Sequence, residues 1–326
     1  MKMKKPDIFL AITMCLLVLA AVLCIVILFV QKDPETKPEP VNPQTSSTDS
    51  ALPSDSGAVT PSGSEIVVPT DSKPAVELKA IDEAALKAAL DESLKGLTSE
   101  WQVMVIDPAL DTHVESAVNC KVDAWMTANR MTQVFIMGTV FKQAQDGTLK
   151  LEDVLADVKA MMTTNDTYAA DRLTEQLGGG DAAKGREAVK TFAVDNGVKL
   201  GFNRPLTGNS TAKNYVSAAY CAELLNKLCK GELVSDAASR QMLELLLTPV
   251  ETPEIALDLG ADVKYGFVND VEAGVCICSM GVVQLPNRSY VISVVCNEPV
   301  TTDGAKKKVA DLVTLVKPYF AEETNP

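Results

Sequence analysis

Residues 8 to 30 are uncharged and almost wholly apolar. That length crosses a bilayer as a helix. Lys2, Lys4 and Lys5 precede it, which places the N-terminus in the cytoplasm. A cleaved signal peptide has a shorter apolar region and small residues before its cleavage site. Here the segment ends Leu28-Phe29-Val30-Gln31-Lys32-Asp33, and Cys24 follows Val22-Leu23 rather than the small residue expected before a lipidated cysteine. The pattern predicts a cytoplasmic tail (1–7), an uncleaved anchor (8–30) and the rest of the chain outside the membrane.

The pattern then disappears. Residues 31–75 hold eight of the 17 prolines among Ser, Thr, Asp and Glu. With few large apolar side chains, no core can form. The segment reads as a tether.

Periodicity returns over a folded domain, residues 76–326. Leu86, Leu90 and Leu94 share one face of a helix near 81–95. Strand-like runs follow at 101–107 and 114–121. Helical periodicity dominates from 131 to 247. Three further strand-like runs occupy 263–269, 273–283 and 290–297. A last helix near 303–317 turns Val309, Leu312, Val313 and Val316 inward. The order is helix, two strands, many helices, three strands, helix. An antiparallel sheet drawn from both ends of the domain, with a separately packed helical middle, is an α+β architecture.

Composition narrows the chemistry. A formal net charge of -13 argues against a nucleic-acid partner, which needs a basic face. The single histidine, His113, excludes a multi-histidine metal site, and any Ser-His-Asp triad would have to use it. It stands in the turn Asp107-Pro108-Ala109-Leu110-Asp111-Thr112-His113, where a surface role is the simpler reading. No cysteine forms a Cys-x-x-Cys pattern, and nothing implies a cofactor. Cys120, Cys221, Cys229, Cys276, Cys278 and Cys296 read as small buried hydrophobes. A hairpin symmetric about Asn287 would set Cys278 opposite Cys296, within reach of a disulfide.

Several strings carry a resemblance. Arg130-Met131-Thr132-Gln133 opens the apolar run Val134-Phe135-Ile136-Met137, which stops at Gly147. Asn165-Asp166-Thr167 follows, then Asn214-Tyr215-Val216-Ser217, Gly231-Glu232-Leu233 and Lys264-Tyr265-Gly266. In order and spacing these blocks resemble the penicillin-recognising serine hydrolases, class A β-lactamases among them, across the whole domain. The resemblance implies that fold, with a nucleophile helix opened by Ser-x-x-Lys and later Ser-Asp-Asn and Lys-Thr-Gly motifs.

Acyl transfer needs a serine at the helix N-terminus, a lysine one turn on to take its proton, and donors for the oxyanion. Arg130 stays protonated and cannot attack a carbonyl, and Gln133 cannot act as a base. No slip in register helps, because the chain has no serine between Ser116 and Ser210. Thr139-x-x-Lys142 lies two turns too far along, and Thr132 has no lysine three residues on. A literal Ser210-Thr211-Ala212-Lys213 falls in a loop by position. Asn165-Asp166-Thr167 keeps only the middle residue of its motif, and Tyr265 replaces the substrate-contacting hydroxyl of the third. The run 197–222 holds no acidic residue, so the deacylating glutamate is missing as well. Loss of a nucleophile alone costs on the order of 10⁶ in turnover.

The sequence thus predicts a membrane-anchored pseudoenzyme that binds or scaffolds at the cell envelope. Its cleft would carry Arg130 and Lys264, with Gln133, Asn165 and Thr167, and could hold an anionic cell-wall peptide. Alternatively, Arg130 pairs with Asp166 and closes the cleft. The competing readings are a working hydrolase acting on β-lactams or peptidoglycan peptides through a serine acyl-enzyme, and a structural part of an envelope complex.

Overall fold

A computed structural model describes residues 78–208, 210–249, 255, 257–261 and 263–321. All belong to one unit, Asp71–Pro326. The anchor at 8–30 and the tether at 31–75 lie outside the described residues. Among the described residues no helix is long and apolar enough to cross a membrane.

The sheet is assembled from both ends of the unit. Its strands are β1 (Glu100–Asp107), β2 (Thr112–Val118), β5 (Lys264–Glu272), β6 (Cys276–Gln284) and β7 (Ser289–Asn297), in the order β2-β1-β7-β6-β5. Every pairing is antiparallel. Side chains alternate between the faces of a strand, and both faces are apolar. Val103 and Val105 point one way, into a core built with α1 (Glu83–Leu94) and α8 (Thr302–Phe320). Met104 and Ile106 point the other way, into the core of the helical middle.

That middle contains α2 (Thr132–Gln145), α3 (Leu151–Thr163), α4 (Thr167–Leu177), α5 (Ala182–Asp195), α6 (Ala218–Lys230) and α7 (Asp236–Leu246). Between α5 and α6 a two-residue strand, β4 (Tyr215–Val216), pairs with β3 (Met126–Thr127). This pair is too short for periodicity to reveal.

Most helices begin on a local side-chain cap. Asp82, Asp166, Asp181, Ser217, Ser235 and Thr301 each accept a first-turn N–H of the helix that follows them, the usual answer to orphan amides at a helix start. Helix α2 has no such cap. It is also the helix buried on all sides, with every residue from Thr132 to Phe141 inside. Gly138 permits this: a Cβ there would meet the Phe192 ring of α5 at 2.5 Å.

The β6–β7 hairpin corrects the expected register. Gln284 pairs with Ser289, and Cys296 pairs with Ile277 rather than Cys278. The hairpin is centred between Pro286 and Asn287, not on Asn287. Half a residue in the centre is a whole residue in the partner, and that moves a side chain to the other face. Cys278 therefore lies in the helical core and Cys296 in the α1/α8 core. All six cysteines of the described residues are free thiols.

Candidate functional site

The turn before α2 is built by hydrogen bonds to a loop between α5 and α6. Buried Asn214 is the hub. Its Oδ1 accepts from the N–H groups of Asn203 (2.8 Å) and Arg204 (3.0 Å). Its Nδ2 donates to Asn129 Oδ1 (2.8 Å) and to the Arg204 carbonyl (3.2 Å). Asn129 in turn donates from Nδ2 to the Leu206 carbonyl at 3.1 Å. From α4, Asp171 accepts from the N–H groups of Leu206 (2.7 Å) and Thr207 (2.9 Å) and from the Thr207 hydroxyl. The loop is thereby pinned beside the N-terminus of α2.

These elements enclose an open cleft of about 470 Å³. Asn129 and Arg130 line it from the start of α2, and Thr167 from the start of α4. Arg204, Ser210 and Thr211 line it from the loop, and Asp270, Val271 and Glu272 from the end of β5. The Arg204 guanidinium faces Glu272 at 3.6 Å and is only 12% exposed. Its Nε is buried without a hydrogen-bond partner.

Asp270 holds the turn that leads into α2. Its Oδ2 accepts the N–H of Asn129 and the N–H of Arg130, the latter at 3.1 Å. The Cys276 thiol stands 3.7 Å from the same oxygen. Burial pushes the Asp270 carboxyl above the usual carboxylate range, and the neighbouring Glu272 charge adds to this. The two N–H groups and the Arg130 charge oppose the shift without cancelling it.

The predicted site residues separate into two groups. Arg130 and Thr167 line the cleft. Gln133 is fully buried one turn behind Arg130, and neither of its amide atoms has a partner. Asn165 adopts a left-handed backbone (φ 55°) and donates to the Asn269 carbonyl at 3.4 Å. Asp166 caps α4, its Oδ1 accepting from Tyr168 (2.8 Å) and Ala169 (3.1 Å).

Lys264, Tyr265 and Gly266 are not with this group. They begin β5, four to six residues and about 13–20 Å along the strand from Asp270. Tyr265 packs beside Phe267, with ring centroids 6.0 Å apart. Gly266 lies against the Leu246 carbonyl, where a Cβ would come within 1.9 Å. The β5 segment that reaches the cleft is Asp270-Val271-Glu272. The Lys264-x-Gly266 string lies at the opposite end of the strand from this cleft. Asp270 does carry a signal in the sequence, because Asn269 and Asp270 are adjacent polar residues inside an apolar strand pattern. Arg204 gave no comparable signal, and Asn214 was marked only as the start of a family-like string.

The other candidate groups have structural partners. The Thr132 hydroxyl donates to the Asn129 carbonyl and that of Thr139 to the Phe135 carbonyl, both at 2.7 Å. His113 lies 3.0 Å from Glu223 on α6 and 3.5 Å from Asp111, and it is not a cleft residue. Burial pushes the Cys221, Cys229 and Cys296 thiols up to about 12, which leaves them unreactive.

A model of the "Beta-lactamase enzyme family" matches residues 154–320, just over half of the chain. The chain belongs to the beta-lactamase enzyme family. Solved structures of similar shape include an ancestral class A β-lactamase, the reconstructed last common ancestor of Gram-negative bacteria. It is 21% identical with a TM-score of 0.62, covering 72% of this chain and 100% of that one. A β-lactamase from Sphaerobacter thermophilus is 15% identical with a TM-score of 0.60, covering 73% and 98%. At these identities the likeness concerns the fold, an α+β β-lactamase-like serine hydrolase fold. None of the curated proteins compared matches the chain. The family match begins in α3, after Arg130 and Gln133, so kinship rests on the helices and strands that follow α2.

Proposed function

We propose that this family member is a non-hydrolytic binding module held at the outer face of the cell membrane by residues 8–30. One observation carries the reading. Where a serine nucleophile and its lysine would face the cleft at the start of α2, the chain has Arg130 and an unpartnered, buried Gln133. A guanidinium cannot add to a carbonyl, and an amide cannot accept the proton. With Arg204 in the same cleft, the chemistry suits a carboxylate-bearing ligand such as a cell-wall peptide, held without a covalent bond. Arg204 takes the place that the sequence reading gave to Lys264.

The test is covalent labelling of the full chain with a fluorescent penicillin, alongside nitrocefin turnover. The reading expects neither label nor turnover. One observation favours a second reading, an active hydrolase: Ser210 lines the cleft. Its Oγ, however, accepts a turn bond from the Ala212 N–H at 3.2 Å, and among the described residues no basic side chain is hydrogen-bonded to it. Label that appears in the wild type and vanishes in Ser210→Ala would establish the hydrolase and end the first reading.

A further inference from the structure

Successive backbone N–H groups that converge in a turn make an anion-binding concavity. At α2 the two amides that lead into the helix, those of Asn129 and Arg130, converge on a single oxygen, Asp270 Oδ2. The aspartate caps of other helices are local, each sitting directly before its own helix. Asp270 instead arrives from a different strand, 140 residues away in sequence from Arg130. It also lies in the cleft wall, where Asn129, Arg130 and Asp270 all border the open volume. A carbonyl attacked from side chain 130 would develop its negative charge within reach of the N–H of the same residue. Asp270 stands in that place.

We propose that Asp270 is an internal occupant of this anion seat and closes it to any substrate carbonyl or ligand anion. The inference rests on the non-hydrolytic reading and deepens it: the donors have been kept and filled from within. The cleft would then take its ligand through side chains, Arg204 among them, and not through the amides at the start of α2. Removing the Asp270 side chain should open the seat to a small carboxylate of the same chemistry.

The experiment uses the full chain in detergent, labelled with ¹⁵N at Asn and Arg and titrated with sodium formate against sodium chloride at equal ionic strength. In the wild type the Asn129 and Arg130 amide signals should not respond. In Asp270→Ala they should move and saturate, and the melting temperature should rise by several degrees in formate relative to chloride. Asp270→Asn keeps an acceptor in the seat and should behave as the wild type does. Wild-type amides that follow formate would overturn the proposal, even if Asp270→Ala does not fold. So would a folded Asp270→Ala whose amides ignore formate. Penicillin labelling reads the non-hydrolytic assignment separately, so each claim can fail without the other.

Discussion

At the residue scale, the informative groups are polar side chains placed where apolar ones would be cheaper. Gln133 is buried with both amide atoms unpartnered, a burden of about 1–3 kcal/mol. Gln133→Met should therefore leave stability unchanged or raise it by about 1 kcal/mol in chemical denaturation, whereas Gln133→Lys should lower it by several kcal/mol by burying a charge. Asp270 makes a pH prediction. Its carboxyl is raised by burial, so folding favours the protonated acid. That contribution is fully present below the unfolded value of about 3.9 and is lost as pH rises through the higher folded value. The groups facing it are Arg130, Glu272, Cys276 and the Asn129 amide. Asp270→Asn should gain stability relative to wild type as pH increases from 4 to 8, and a gap that narrows over that range would contradict the assignment. Arg130 and Gln133 were legible as a pair because they stand three residues apart where the apolar run begins, although Arg130 lies in the turn just before α2. Asp270 was legible only as a polar residue in an apolar strand. Its partner amides lie 140 and 141 residues away, and no local pattern encodes such a meeting.

At the element scale, the sheet and the pinned loop decide what reaches the cleft. Asn214 joins Asn129 on one side to Asn203 and Arg204 on the other. Asn214→Ala should destabilise the domain by about 2–4 kcal/mol, since it leaves buried backbone groups unsatisfied. Amide hydrogen exchange should accelerate across residues 203–207 more than in α8. Equal acceleration in both would argue against a local clasp. A second device closes the far end of the sheet. Arg288, in the β6–β7 turn, pairs with Asp107 at the end of β1 and covers the Phe320 ring at 5.0 Å. Both partners of the ion pair are buried. Arg288→Met should lower stability by about 3–5 kcal/mol because it strands Asp107, whereas the joint Arg288→Met/Asp107→Leu change should recover most of the loss. The elements themselves were largely readable in the sequence. Periodicity marked α1, α8 and all five sheet strands to within a few residues. The hairpin register was not readable, because a one-residue difference in strand pairing leaves the hydrophobic pattern of each strand unchanged.

At the scale of the whole molecule, fold and activity are separate questions. The family match and the shape of class A β-lactamases identify the scaffold, but a scaffold does not fix a function. Restoring the motif with Arg130→Ser and Gln133→Lys together should not create a penicillin-labelled protein while Asp270 fills the amide seat. Labelling of that double variant would sink this expectation. The anchor proposal predicts that the full chain sediments with membranes and resists alkaline carbonate, and that deletion of residues 1–30 releases it. The sequence by itself determined the α+β order of elements, the divided apolar faces and the placing of Arg130-x-x-Gln133 at the start of an apolar helix. Each of these is local or periodic and follows from spacing along one element. Only the tertiary structure decided that Lys264 stands away from the cleft, that Arg204 and Ser210 enter it, that Cys278 and Cys296 lie on opposite faces, and that Asp270 accepts the amides of Asn129 and Arg130 ahead of α2. Each of those depends on how segments remote in sequence are brought together, and the pairing energy that brings them together leaves no trace in the pattern of either segment alone.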